Sequence, residues 1–194
     1  MQVLFVYFLI SFTADSILLT HRSAEYPTLS LVTLSLFTIS EYSLFALFLF
    51  LVIKNKHFKT TISVLSILFI LFAVWFIFNF GSEKKFDSLP ASVEAILIIV
   101  FSILFLFDQL NNPEVIMIYE SHRFWVITAF LIYMAGGLFL WVYADSFTKE
   151  QKSYYWIINY TLNTVKNILI SVAFFMKKDT INIHPSSLQK SYNI

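Results

Sequence analysis

Residues 61–80 read TISVLSILFILFAVWFIFNF, twenty positions without one charged side chain. A helix of that length spans about 30 Å, which matches the hydrocarbon core of a bilayer. The run therefore predicts a transmembrane helix, and the same pattern extends outward from it. Toward the N-terminus lie Val3–Leu19 and Leu29–Ile53. Toward the C-terminus lie Leu89–Leu110, Phe124–Ala144 and Tyr154–Phe175, which with Thr61–Phe80 makes six expected spans. The ten-residue alternation of a membrane β-barrel is not the pattern here.

Composition agrees. Of 194 residues, 58% are hydrophobic and 13% charged, against about 45–50% and about 25% in ordinary soluble domains. Aromatic residues reach 19%, more than a water-soluble core of this size can hide, so part of the surface must itself be apolar. With no cysteine, disulfide scaffolds and cysteine-ligated metal sites are excluded. A formal net charge of +1 gives no footprint for nucleic acid. The expectation is an all-α polytopic transmembrane bundle: one domain over residues 1–176 and a polar C-terminal tail over 177–194.

The connections carry the punctuation. Pro27 closes the first, Gly81 ends the third span, Ser88 and Pro90 open the fourth, and Pro113 lies in the longest loop. Only Gly136 and Gly137 interrupt a span, and they read as a notch for close approach of another helix. The first apolar run lacks a basic leader and a small-residue cleavage site, so it reads as a retained helix. One side of the membrane would carry Lys54, Lys56, Lys59, Arg123, Lys177, Lys178 and Lys190; the other Arg22, Lys84, Lys85, Lys149 and Lys152. By the positive-inside rule the first side is cytoplasmic, with the C-terminus on it.

Ionisable groups inside a bilayer cost at least about 2.5–3.5 kcal/mol and so tend to face the bundle interior. Four are clear cases well inside the spans: Asp15, Glu41, Glu94 and Lys166. Asp15 continues a stripe from Tyr7 and Ser11 at i, i+4, i+8. On the sixth span Trp156, Asn159, Asn163, Lys166, Asn167 and Ile170 share an arc of roughly 100°, a face unsuited to lipid. Glu41, at similar depth, is the expected partner of Lys166. Tyr133 adds a hydroxyl at mid-depth. Two readings stand side by side: an internal network that fixes helix register, or a polar cavity for a ligand or ion, opening to the outer side where Asp15, Glu94 and Asn159 lie.

No catalytic signature is present. All four histidines lie outside the spans, and H-E-x-x-H, G-x-S-x-G, Walker A and G-x-G-x-x-G do not occur. The sequence thus nominates no catalytic residue, no metal and no cofactor. A carrier built on inverted repeats and broken helices has no counterpart in the pattern.

The segments ISEYSLF (residues 40–46), SVEAILIIVFSILFLF (92–107), HRFWVITAFLIYMAGGLFL (122–140) and WIINYTLNTVKNILISVAF (156–174) together resemble a group of small seven-helix inner-membrane proteins common in Bacteroidota. The resemblance implies a receptor or accessory role beside sensor kinases or response regulators. It also implies a further helix ahead of Tyr7, absent here as in a truncated gene. The expected function is a small membrane sensor or accessory subunit, whose loops at Lys54–Lys59 and Asp108–Arg123 and whose tail touch a membrane or cytoplasmic signalling protein. The alternatives are a carrier or ion pathway through Asp15, Glu41, Glu94 and Lys166, and, less favoured, a membrane-embedded lipid enzyme.

Overall fold

The computed structural model describes residues 2–20, 27–80, 88–111 and 121–176. These form six α-helices: α1 (Gln2–Thr20), α2 (Pro27–Val52), α3 (Lys56–Phe80), α4 (Ser88–Leu110), α5 (His122–Val142) and α6 (Lys149–Phe175). A short 3-10 turn, Ala144–Ser146, joins α5 to α6. The tail at 177–194 and the loop lysines and arginine at positions 22, 84, 85, 177, 178 and 190 lie outside the described residues, as does the side chain of Asp15.

All six helices start earlier than hydropathy alone suggests, and polar caps on the first turns explain the two largest extensions, at α3 and α6. At α3 the Asn55 side chain accepts from the His57 amide at 2.9 Å, and the Asn55 carbonyl accepts from the Lys59 amide at 3.1 Å. At α6 a capping box closes the end: the Gln151 amide donates to Thr148 Oγ1 at 3.4 Å, and the Thr148 amide donates to Gln151 Oε1 at 2.9 Å. Ser121 caps α5 by accepting from the Arg123 amide at 3.2 Å. Such caps satisfy the otherwise orphaned first-turn N–H groups, so a helix can start among polar residues.

Side-chain contacts fix the register. Tyr7 of α1 meets Glu41 of α2, and the Tyr42 ring of α2 lies 4.2 Å from that of Phe69 on α3. On the same pair of helices, Lys59 Nζ sits 5.1 Å from the Phe50 ring. As one number rises the other falls, so α2 and α3 run antiparallel. Tyr42 also faces Phe101, and the Lys54 amide bonds Asp108, so α2 and α4 run parallel. α2, α4 and α5 supply the centre, where Tyr42, Leu49, Ile98, Phe101, Phe105, Ile127 and Phe130 are fully buried. α3 lies at the rim, with Ile67, Leu68, Leu71, Trp75 and Phe78 exposed along it, a face suited to lipid.

The two adjacent glycines of α5 have separate jobs. A Cβ on Gly136 would come within 2.7 Å of Leu162 Cδ2, so this glycine receives α6. A Cβ on Gly137 would meet the Trp141 ring of the same helix at 2.6 Å. Only the first is the interhelical notch that the sequence suggests.

The structure is a helical bundle in which, among the described residues, four helices are long and apolar enough to cross a membrane: the stretches Val32–Val52, Lys56–Asn79, Ser88–Leu110 and His122–Val142. Of the six spans expected from sequence, four thus have helices that meet this length and composition among the described residues. In α1 the apolar stretch among the described side chains, Val3–Ala14, is shorter. α6 is diluted by its polar first turn, three asparagines and Lys166.

Candidate functional site

Glu41 owes its position to the centrality of α2. Consecutive residues on a helix point about 100° apart; on a peripheral helix one of two neighbours would be exposed, yet both Glu41 and Tyr42 are buried. Tyr42 turns toward α3 and α4, where its hydroxyl lies 3.0 Å from Ser66 Oγ. Glu41 turns toward α1 and α6.

There it joins a closed network. The Tyr7 hydroxyl donates to Glu41 Oε1 at 2.8 Å and accepts a hydrogen bond from Lys166 Nζ. Lys166 Nζ also donates directly to the same carboxylate oxygen at 3.3 Å, forming a salt bridge. Tyr7, Glu41 and Lys166 are 3%, 4% and 1% exposed, so water does not solvate the pair. The ammonium is further held over the face of Tyr133, 3.9 Å from the ring centroid, with the Tyr7 and Phe130 rings at 5.1 and 5.4 Å. The quadrupole of an aromatic face attracts a cation, worth about 2 kcal/mol or more once both are desolvated. Two oxygen acceptors and a π face thus surround the three donors of the lysine.

Packing holds the partners in place. Phe130 of α5 contacts Tyr7 edge-on at 5.3 Å and Phe45 of α2 at 4.3 Å, bridging α1, α2 and α5 around the charges. Tyr133 is steadied by an edge-on contact with Trp141 at 5.5 Å. A crevice beside the triad is lined by Val3, Leu4, Tyr7, Leu44, Phe45, Phe48 and Phe130. It is apolar and lies toward the start of α1, away from Asn159.

Of the residues nominated from sequence, the structure brings Glu41, Lys166 and Tyr133 together. Glu94 is buried on α4 and within electrostatic range of both Tyr7 and Tyr42. Asn159, Asn163 and Asn167 lie half-buried along α6 outside the triad, and their side-chain amides make no hydrogen bond among the described residues. Among those residues no group of histidines and carboxylates is placed to hold a metal ion.

Two polar residues were missed. Tyr7 is the hub, and its only sequence signal is the stripe it begins with Ser11. Asp108, expected in a cytoplasmic loop, is instead buried in the last turns of α4, where its Oδ2 accepts from the Lys54 amide at 3.1 Å. It ties the end of α4 to the α2–α3 turn, and a lone acid near a span end gives no hint of this. No family model matches the chain, and neither a curated protein nor a solved structure is recognisably similar to it.

Proposed function

We propose that this chain is a small integral-membrane accessory or sensor subunit of a signalling system. The observation that carries the reading is the closed Tyr7–Glu41–Lys166 network. A charge pair sealed among aromatic rings suits a lock between helices, whereas an ion pathway needs carboxylates that exchange with water. Glu41 lies near the middle of the long apolar stretch Val32–Val52. Tyr7 and Lys166 meet it there, so α1 and α6 reach the same depth, which supports six spans. The exposed Lys54, Lys56 and His57 at the α2–α3 turn support a cytoplasmic end facing a partner, with the C-terminus on that side of an inner membrane.

Protein purified into liposomes tests the reading. Proton and cation flux should equal that of empty vesicles, while a photocrosslinker at Lys56 in cells should capture a sensor kinase or response regulator. Flux that Glu41→Gln abolishes would overturn the proposal in favour of a carrier. An alkaline phosphatase fusion that is active after Lys178 would overturn the orientation.

A further inference from the structure

Lys166 is enclosed, yet its polar neighbours on α6 are not. Relative to Lys166, Asn163 and Asn167 are rotated by about 60° and about 100° around the helix, away from Leu162, which packs into the Gly136 notch of α5. Tyr160, Thr164 and Ser171 continue this flank and are exposed. The hydroxyls of Thr164 and Ser171 are already spent on their own helix, donating to the Tyr160 and Asn167 carbonyls at 2.8 Å each. The asparagine amides have no such outlet. Asn159 Oδ1 is buried without a hydrogen-bond partner among the described residues, and Asn163 and Asn167 make none either. In water this would matter little. At bilayer depth an unsatisfied amide is costly, and a bundle that leaves three in a row on one helix is incomplete on that flank.

We propose that the Asn163–Asn167 flank of α6 is the interface with a second copy of this chain. The reading rests on α6 spanning the membrane. An asparagine amide carries two donors and a carbonyl acceptor, so it is its own complement. Two copies inserted in the same direction and related by a two-fold axis along the membrane normal bring Asn163 against Asn163 and Asn167 against Asn167, each donating to the other. From Tyr154 to Phe175 the flank is neutral, because the one charge in that stretch of α6, Lys166, is turned inward and paired with Glu41. Over those residues no charge repels an identical surface. Thr164 and Ser171 are small and self-satisfied, which lets the two backbones approach.

The absence of cysteine makes a direct test possible. Tyr160→Cys and Thr164→Cys place single thiols on the proposed interface without touching an asparagine; Ile158→Cys and Val165→Cys place them on the other exposed flank of α6. Each variant, alone in liposomes, is oxidised and separated by size. Disulfide-linked dimer should form several-fold more at 160 and 164 than at 158 and 165. Adding Asn163→Leu and Asn167→Leu should weaken dimerisation by about tenfold or more, since each interhelical amide contributes about 0.6–2 kcal/mol. Equal crosslinking on both flanks, none on either, or crosslinking untouched by the leucine substitutions would overturn the proposal, leaving a polar ligand or a different protein's helix as the occupant. Labelling of the 160 and 164 thiols by a membrane-impermeant maleimide would overturn the spanning of α6 and the dimer with it. Thiols that stay unlabelled but do not crosslink would overturn the dimer alone.

Discussion

Lys166 and Asn163 stand one turn apart on α6 and differ in fate. The charged residue is enclosed by a carboxylate, a phenol and an aromatic face. The neutral ones beside it are left half-buried with unspent amides. The difference follows from cost. An ammonium in hydrocarbon without a counter-charge is prohibitive, so a chain that carries one must build its own partner into the fold. An amide can be left for a partner outside the monomer. The inner face of α6 thus serves folding within one chain, whereas its asparagine flank is the face proposed for association.

Substitutions on the two faces should separate sharply. The largest effect is expected from Glu41→Gln, which leaves Lys166 charged and desolvated and should destabilise by about 3–5 kcal/mol. Adding Lys166→Met should recover most of that loss in detergent melting curves. Three superimposable curves for the two single variants and the double would break the contrast, because Lys166 would then be no better enclosed than its neighbours. Tyr7→Phe removes the hydroxyl shared by both charges but leaves their direct 3.3 Å contact. It should cost about 1.5–3 kcal/mol, as for a hydrogen bond to a charged group. Tyr133→Leu keeps apolar volume and removes the π face, so the loss should be about 1–2 kcal/mol. A larger effect for Tyr133→Leu than for Tyr7→Phe would mean that the ring, rather than the phenol, holds the lysine. The smallest change is expected from Asn163→Leu with Asn167→Leu: the stability of the detergent-solubilised monomer, read from its melting curve, should stay within about 0.5 kcal/mol of the parent, since neither side-chain amide makes a hydrogen bond among the described residues. A loss comparable to that of Glu41→Gln would show these asparagines to be internal to the fold.

The long apolar runs made the helices legible, and the 100° periodicity made the polar face of α6 legible, because both are local properties of the chain. The pairing of Glu41 with Lys166 followed from depth and opposite charge. The caps at Asn55 and Thr148 lie just outside the apolar runs, so a reading weighted to hydropathy stopped short of them. Sequence could not single out Tyr7 from ten tyrosines, nor predict that Tyr133 would present its ring rather than its hydroxyl to the charge. It could not tell that Asp108 turns inward to hold the α2–α3 turn, or that the asparagines lie beside the triad and outside it. Each of these depends on which helices become neighbours and on their rotation about their own axes. Those are set by packing among residues far apart in the chain, such as Phe130 wedged between Tyr7 and Phe45. The sequence by itself determined how many helices there are and which polar groups must leave the lipid. Only the tertiary structure decided which of them meet, because the cost of a buried charge is local whereas the choice of its partner is not.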